Sequence, residues 1–145
     1  MPPRIVVDTS VLTAALLRGR AGESSQVLRL CLQRRCQPIL GAKLFCEYES
    51  VLGRSALFKD CLLDPAQRTE FLGGLAAVCE WVTVHYLWRP NLPDEGDNHL
   101  IELAVAGGAR TIVTHNIRDF RRAELRFPAI AILTPGEFLL TVPTT

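Results

Sequence analysis

The chain has 145 residues, of which 48% are hydrophobic and 21% charged, and its formal net charge is +1. That length allows one ordinary domain, and the composition is that of a folded protein rather than a disordered one. The charge does not indicate a nucleic-acid partner, and no stretch approaches the ~20 apolar residues of a membrane span. The five cysteines include no CxxC pair, which favours free thiols in a soluble, cytoplasmic protein.

Short β-branched runs alternate with longer helical patterns, which predicts an α/β fold with a parallel sheet. The predicted strands are 4–7, 37–40, 81–84, 111–113 and 129–133. The predicted helices lie near 11–17, 24–35, 43–52, 65–79, 97–106 and 135–140. Because the strands are nearly continuous apolar runs, helices are expected on both faces. We therefore expect a three-layer α/β/α domain over residues 1–140, with four to five parallel strands and a flexible tail at 141–145.

The first predicted strand ends at Asp8, and Thr9 and Ser10 follow at the start of a helix. In an open parallel sheet the functional crevice lies beyond the carboxyl ends of the strands, so Asp8 is a candidate site residue. The same residues also suit a helix N-cap, in which a side-chain oxygen accepts a backbone hydrogen bond. Asp8 considered alone leaves both interpretations open.

The predicted helix 43–52 carries two acids, Glu47 and Glu49. At about 100° per residue, one apolar arc of this helix is formed by Leu44, Phe45, Tyr48, Val51 and Leu52. Glu47 and Glu49 fall on opposite edges of that arc. Helical periodicity therefore does not choose between them.

Some positions are expected to be buried for their apolar context alone. Cys31, Cys46 and Cys79 lie in apolar helical patterns and are expected to be buried thiols. Trp81 offers a base-stacking surface in principle, but its place in a predicted strand favours the core.

Two further acids, Asp94 and Asp97, stand at the start of the predicted helix 97–106. Carboxylates suit the positive end of a helix dipole, which is one explanation for both. Asp97, however, is in phase with Ile101 and Ala104 and so lies on the inward-packing face. A carboxylate at the rim of a core needs a partner, a proton or a metal.

Polar residues also follow the fourth predicted strand, where Asn116 and Asp119 stand in one turn. The hydroxyls of Thr9, Ser10 and Thr114 can hold water or phosphate, although helix and turn capping explains them equally well. Arginines close to this turn can line an RNA path or form a solvated surface; they are Arg118, Arg121, Arg122 and Arg126. His115 is expected to be a loop residue rather than a metal ligand.

Three segments in this order, VVDTSVL, FCEYESVLGR and PDEGDNHLIELAVAGGARTIVTHNIRDF, resemble the PIN domain, particularly its VapC-like branch of toxins from toxin–antitoxin pairs. The resemblance runs from about Ile5 to about Leu140. It implies a ribonuclease that cuts single-stranded RNA with Mg²⁺ or Mn²⁺, leaving a 5′-phosphate and a 3′-hydroxyl. It also implies a small antitoxin as partner and a homodimer.

The resemblance further implies residue roles. The implied metal ligands are Asp8, Glu47, Asp94, Asp97, Asn116 and Asp119. Four of them are the implied catalytic acids, namely Asp8, Glu47, Asp97 and Asp119. Glu47 is favoured over Glu49 because it precedes a Val–Leu pair by four positions, as in the family. The fourth acid is open between Asn116 and Asp119, since many members have Asp where Asn116 stands.

Carboxylates that crowd one site repel one another, and a divalent cation removes that cost. Hard oxygen ligands without His or Cys select Mg²⁺ or Mn²⁺ over zinc. A phosphotransfer receiver domain or a haloacid-dehalogenase-like domain also has an acid after its first strand. The former needs a Lys after a later strand, and no Lys follows the third or the last predicted strand here. The latter needs Asp at position 10, where this chain has Ser10. The stronger rival is a PIN fold with a weak or inactive site that binds RNA or protein, which Asn116 favours.

Overall fold

The computed structural model describes residues 2–19, 21–84, 98–120 and 129–142. Its strands are β1 (Arg4–Val7), β2 (Gln37–Leu40), β3 (Glu80–Trp81), β4 (Thr111–Val113) and β5 (Ala131–Leu133). Its helices with both ends described are α1 (Thr9–Arg18), α2 (Glu23–Leu32), α3 (Ala42–Leu52), α4 (Pro65–Val78), α5 (Asn98–Gly107) and α6 (Pro135–Thr141), and residues 117–120 after β4 are also helical. Strands β1, β2 and β4 have the predicted bounds.

The five strands form one parallel sheet in the order β3-β2-β1-β4-β5. The chain runs outward from β1 through β2 to β3, and then returns to place β4 on the other side of β1. The pairing of Val7 with Val113 brings the carboxyl ends of β1 and β4 together. The strand order reverses between these two strands, and ligands of open α/β sheets bind at such a point.

Helices cover both faces of this sheet, which confirms the predicted three-layer α/β/α fold. Helix α5 packs against β1, β2 and β4, whereas α2 contacts α1, α4 and α6. Right-handed crossovers place α5 on the opposite face from the helices that follow β1 and β2. The central strands contribute completely buried residues to the core, including Ile5, Val6, Ile112 and Val113.

The amino end of the sheet holds the last turn of α5. A Cβ atom added at Gly107 would lie 2.7 Å from Cγ2 of Ile39, so only glycine allows this close approach of helix to strand. Nε of Arg4 donates a hydrogen bond to the Gly107 carbonyl at 2.8 Å, and Nη1 of Arg4 donates to Glu80 at 2.9 Å. One arginine thus joins β1, β3 and the end of α5.

The prediction that Trp81 belongs to the core is wrong. Strand β3 covers Glu80–Trp81 rather than 81–84, and it lies at the edge of the sheet. An edge strand has a neighbour on one side alone, so Trp81 remains 52% exposed. Its ring contacts Phe45 of α3, with 5.3 Å between the ring centroids.

The prediction of buried thiols holds for Cys31, while Cys79 is half-buried and Cys46 is exposed. The prediction that Cys46 is buried is wrong. The inward positions of α3 are taken by Leu44, Tyr48 and Leu52. These three are spaced by four residues, and Cys46 points away from them.

Several element boundaries differ from the prediction by one to three residues. Helix α2 ends at Leu32 rather than at 35, because Arg34 has a positive φ of 61° that a right-handed helix does not allow. Strand β5 begins at Ala131 instead of 129, and α6 includes Thr141, the first residue of the predicted tail. In the ranges that the structure describes, no helix is long and apolar enough to cross a membrane.

Candidate active site

Asp8 joins β1 to α1 and is 4% exposed. Its N–H donates to the carbonyl of Val113 in β4. Its side chain makes no capping hydrogen bond to α1, although Asp8 occupies the N-cap position. Instead, Oδ2 accepts hydrogen bonds from Ser10 Oγ at 2.8 Å and from Thr114 Oγ1 at 2.7 Å. The capping interpretation therefore does not apply to this side chain, which faces the gap between β1 and β4.

The two hydroxyls that hold Asp8 also fix the turn after β4. Thr114, which is completely buried, accepts a hydrogen bond from the N–H of Asn116 at 2.9 Å. Ser10 accepts one from the N–H of His115 at 3.1 Å. Each hydroxyl thus donates to the carboxylate and accepts from the backbone. Both are used to organise the site in this structure, and phosphate contacts by them stay a prediction.

Glu47 lies on α3, half-buried, with both carboxylate oxygens hydrogen-bonded. Oε1 accepts from Thr9 Oγ1 at 2.6 Å, and Oε2 lies 2.9 Å from Nε2 of His99 on α5. The bond to His99 lowers the pKa of Glu47 below its ordinary value, the Thr9 bond adds to this, and burial opposes it. Glu49 is exposed. Tertiary contacts therefore bring Glu47, and not Glu49, next to the residue that follows Asp8.

Tyr48 holds α3 against the end of β1. Its hydroxyl donates a hydrogen bond to the carbonyl of Val7, and the side chain is buried. Burial raises the pKa of Tyr48 well above its ordinary value, so the phenol stays protonated as a donor. Because Tyr48 follows Glu47 directly, this bond fixes the height at which Glu47 meets the sheet edge.

His115 connects the site to α2. Its Nε2 and the Oγ of Ser24, a buried residue, are 2.8 Å apart. Burial and the charge of Arg18 lower the pKa of His115, against Asp8 and Glu23, which raise it.

The remaining predicted site residues fall into two groups. Asn116 and Arg118 are exposed, Asp119 is half-buried, and the N–H of Asp119 donates to the carbonyl of Asn116 at 3.1 Å. Within the described ranges neither the Asn116 nor the Asp119 side chain is hydrogen-bonded to Asp8, so the choice between them stays open. Asp94, Asp97, Arg121 and Arg122 lie outside the described residues.

A family model for the PIN domain matches residues 4–118. This chain belongs to the PIN-domain family. PIN domains are generally nucleases. No curated protein matches the sequence.

The fold of this PIN domain is similar to two solved structures. VapBC2 from Rickettsia felis, bound to a DNA fragment from their promoter, has 16% identity and a TM-score of 0.57, with 90% of this chain and 98% of the other covered. PAE2754 from Pyrobaculum aerophilum has 15% identity and a TM-score of 0.54, with 96% and 88% covered. At such identities the likeness establishes the fold.

The carboxylates of this PIN domain have the donor chemistry for a hard cation. Oδ2 of Asp8 takes both hydroxyl bonds, so Oδ1 has no donor from the described part of the chain. Glu47 adds a second carboxylate, and each of its oxygens keeps a lone pair beyond its one hydrogen bond. Three or more His, Cys, Asp or Glu side chains in reach of one ion are not found among residues 2–19, 21–84, 98–120 and 129–142. The oxygen donors of Asp8 and Glu47 are thus of the kind that hard divalent cations prefer.

Sequence reasoning did not single out His99 or the hydroxyl of Tyr48. His99 precedes the buried Leu103 by four residues, so helical periodicity places it on the inward face of α5. Tyr48 was counted as an apolar residue, yet a buried tyrosine usually hydrogen-bonds through its hydroxyl.

A separate apolar groove of about 890 Å³ lies between α1, α2, α4 and the 60–63 segment. Neither Asp8 nor Glu47 lines it. Leu17 and Leu32 on its wall are 44% and 42% exposed, and Leu62 is 97% exposed.

Proposed function

We propose that this PIN domain is a metal-dependent endoribonuclease that cuts single-stranded RNA. The observation that carries the proposal is the buried Asp8 carboxylate, which makes no cap hydrogen bond to its helix and is held by two hydroxyls at the point where the strand order reverses. A buried carboxylate is unfavourable without a compensating charge, and a divalent cation supplies one.

Asp8 and Glu47 would hold Mg²⁺ or Mn²⁺ together with Asp94, Asp97 and one of the two polar residues that follow β4, Asn116 or Asp119. Such an ion, when bound, lowers the pKa of a coordinated water and neutralises charge on the phosphodiester.

The other side chains of the site position these carboxylates and the substrate. Ser10 and Thr114 fix one oxygen of Asp8, and the other oxygen would be available to a cation. Arg118 is exposed in the helical segment 117–120 that follows β4, where its guanidinium can bind RNA phosphates, and Arg121 and Arg122 follow it in the sequence.

We also propose that the chain is the cytoplasmic toxin of a toxin–antitoxin pair, with a small antitoxin as partner, and that it forms a homodimer. The likeness to VapBC2 supports the pairing. The exposed leucines of the apolar groove give a partner segment a surface to bury. Co-purification with the product of an adjacent short reading frame tests the pairing, and light scattering of the isolated chain tests the dimer.

A second candidate function is a PIN-fold module that binds RNA or protein without cleaving it. Asn116 favours this alternative, because an amide replaces a charged ligand where many family members have Asp. The cleavage experiment below separates the two functions.

The test uses a labelled single-stranded RNA and four proteins, namely the unchanged chain, Asp8→Asn, Glu47→Gln and Glu49→Gln. We expect cleavage in Mg²⁺ or Mn²⁺ that stops in EDTA and is absent in Asp8→Asn and Glu47→Gln. Glu49→Gln is the matched control, since it neutralises an exposed acid of the same helix, and it should cleave normally. Circular dichroism should show all four folded.

Cleavage without metal, or full activity in Asp8→Asn, would contradict the nuclease mechanism. RNA binding by the unchanged chain without cleavage in either metal would favour the binding module.

A further inference from the structure

His99 is the one residue of α5 found to hydrogen-bond Glu47 within the described ranges, and the PIN-domain resemblance gives it no role. Its Nε2 lies 2.9 Å from Oε2 of Glu47, across 52 residues of sequence. We propose that His99 is a positioning residue that holds the Glu47 carboxylate in the orientation needed for metal binding. This inference rests on the proposed function, in which Glu47 is a metal ligand.

The two partners differ in how firmly the fold holds them. The His99 side chain is 7% exposed, whereas that of Glu47 is 39% exposed. His99 is followed by Leu100 and Ile101, which are completely buried. A histidine packed in this way has little rotamer freedom, while a half-exposed glutamate has three side-chain torsions to fix. The hydrogen bond to His99 therefore restricts the side-chain torsions of Glu47.

Two elements hold Glu47 from different directions. Thr9 of α1 donates to Oε1, and His99 of α5 binds Oε2. Since an ionised carboxylate only accepts hydrogen bonds, Nε2 of His99 carries the proton in this contact. With one donor on each oxygen the plane of the carboxylate is fixed, and each oxygen keeps a lone pair for a cation. Hydrogen-bonded partners of metal ligands orient them in this way in many metalloproteins.

The position of His99 is itself set by the fold. It stands in the first turn of α5, and the last turn of the same helix is held by the bond from Arg4 to Gly107 and by close contact with Ile39. Helix α5 is thus anchored at the far edge of the sheet and reaches α3 at the near edge. A helix fixed in this manner places a side chain reproducibly.

The experiment compares His99→Gln with His99→Asn and uses Mn²⁺ alone as the probe. The amide nitrogen of glutamine reaches about as far as Nε2, whereas that of asparagine ends near the position of Nδ1. Both variants keep a polar, uncharged side chain. Mn²⁺ binding is measured by titration calorimetry without RNA, and unfolding is measured in EDTA.

We expect His99→Asn to weaken Mn²⁺ binding by about 10–100-fold, the usual effect of removing a partner of a metal ligand, and His99→Gln to restore most of it. In a Glu47→Gln background, His99→Asn should cause no further loss, because its effect acts through Glu47. A purely structural role predicts lower stability for His99→Asn in EDTA with unchanged Mn²⁺ affinity.

That structural result would overturn the inference, and so would an equal loss of Mn²⁺ binding in the Glu47→Gln background. Failure of the proposed function has a different signature: the unchanged chain, although folded, would bind no Mn²⁺, which refutes both statements. If Asp8→Asn and Glu47→Gln weaken Mn²⁺ binding while His99→Asn binds normally, the nuclease site stands and the role of His99 is refuted.

Discussion

Replacing Thr114 by valine tests whether the Thr114 hydroxyl holds the Asp8 carboxylate of the candidate site. Valine has nearly the shape of threonine, and Thr114 is completely buried, so the change removes hydrogen bonds rather than volume. Two short bonds are lost, the donor to Asp8 Oδ2 at 2.7 Å and the acceptor for the N–H of Asn116 at 2.9 Å, together with a long contact to Ser10 Oγ at 3.5 Å.

The two losses differ in size. A hydrogen bond to a charged group contributes about 1.5–3 kcal/mol, and a neutral bond about 0.5–1.5 kcal/mol. Asn116 is exposed, so water replaces most of the second bond. Asp8 keeps its bond from Ser10. We expect the free energy of unfolding to fall by about 2–3 kcal/mol, which lowers the Tm by roughly 4–12 °C for a domain near this size.

The measurement is urea unfolding in EDTA, with Thr114→Ser as the matched control. Serine keeps both hydrogen bonds and loses one buried methyl group, which costs about 0.5–1.5 kcal/mol. Thr114→Val should therefore be less stable than Thr114→Ser even though it buries more apolar surface. A valine variant as stable as the serine variant would refute the reasoning that the hydroxyl holds Asp8.

Two further predictions concern parts of the molecule away from the site. Arg68→Met removes a buried guanidinium that donates to the carbonyls of Leu52 and Leu63. We expect the free energy of unfolding in urea to fall by about 2–4 kcal/mol. The control Arg54→Met changes an exposed arginine and should have little effect, so equal effects of the two variants would contradict this role. Glu80→Gln removes the pair with Arg4, whose hydrogen bond lowers the pKa of Glu80 from 4.5. Above pH 4.5 the unchanged chain should be more stable than Glu80→Gln, and this difference in stability should disappear as the pH falls through the lowered pKa of Glu80. A difference that persists at low pH or in high salt would argue against the ion pair.

The sequence predicted best what depends on local pattern. Strands β1, β2 and β4 were placed correctly because buried parallel strands are continuous apolar runs between polar turns. Trp81 was misplaced because burial in a strand depends on which strands flank it, and the hydropathy pattern does not give the order of strands in the sheet. Glu47 and Glu49 were equivalent on a helical wheel, and contacts with Thr9 and His99 from two other elements distinguish them.

The site shows the same division. Asp8 was predicted as a candidate because the carboxyl end of a strand is a general location for function. The direction of its side chain, away from the cap position and toward Thr114, depends on a residue 106 positions later in the chain. The contact between His99 and Glu47 is likewise a product of packing α3 against α5.

The close contact between Gly107 and Ile39 makes the side-chain volumes that fit at these two positions depend on each other. A larger residue at 107 would meet Cγ2 of Ile39 and lift the end of α5 from the sheet. His99 lies eight residues earlier in the same helix, roughly 12 Å away at 1.5 Å per residue, so a tilt of α5 at Gly107 would also move His99. Homologous sequences with alanine at 107 should therefore carry a smaller residue at 39, because the position of His99 at one end of α5 depends on side-chain volume at the other end.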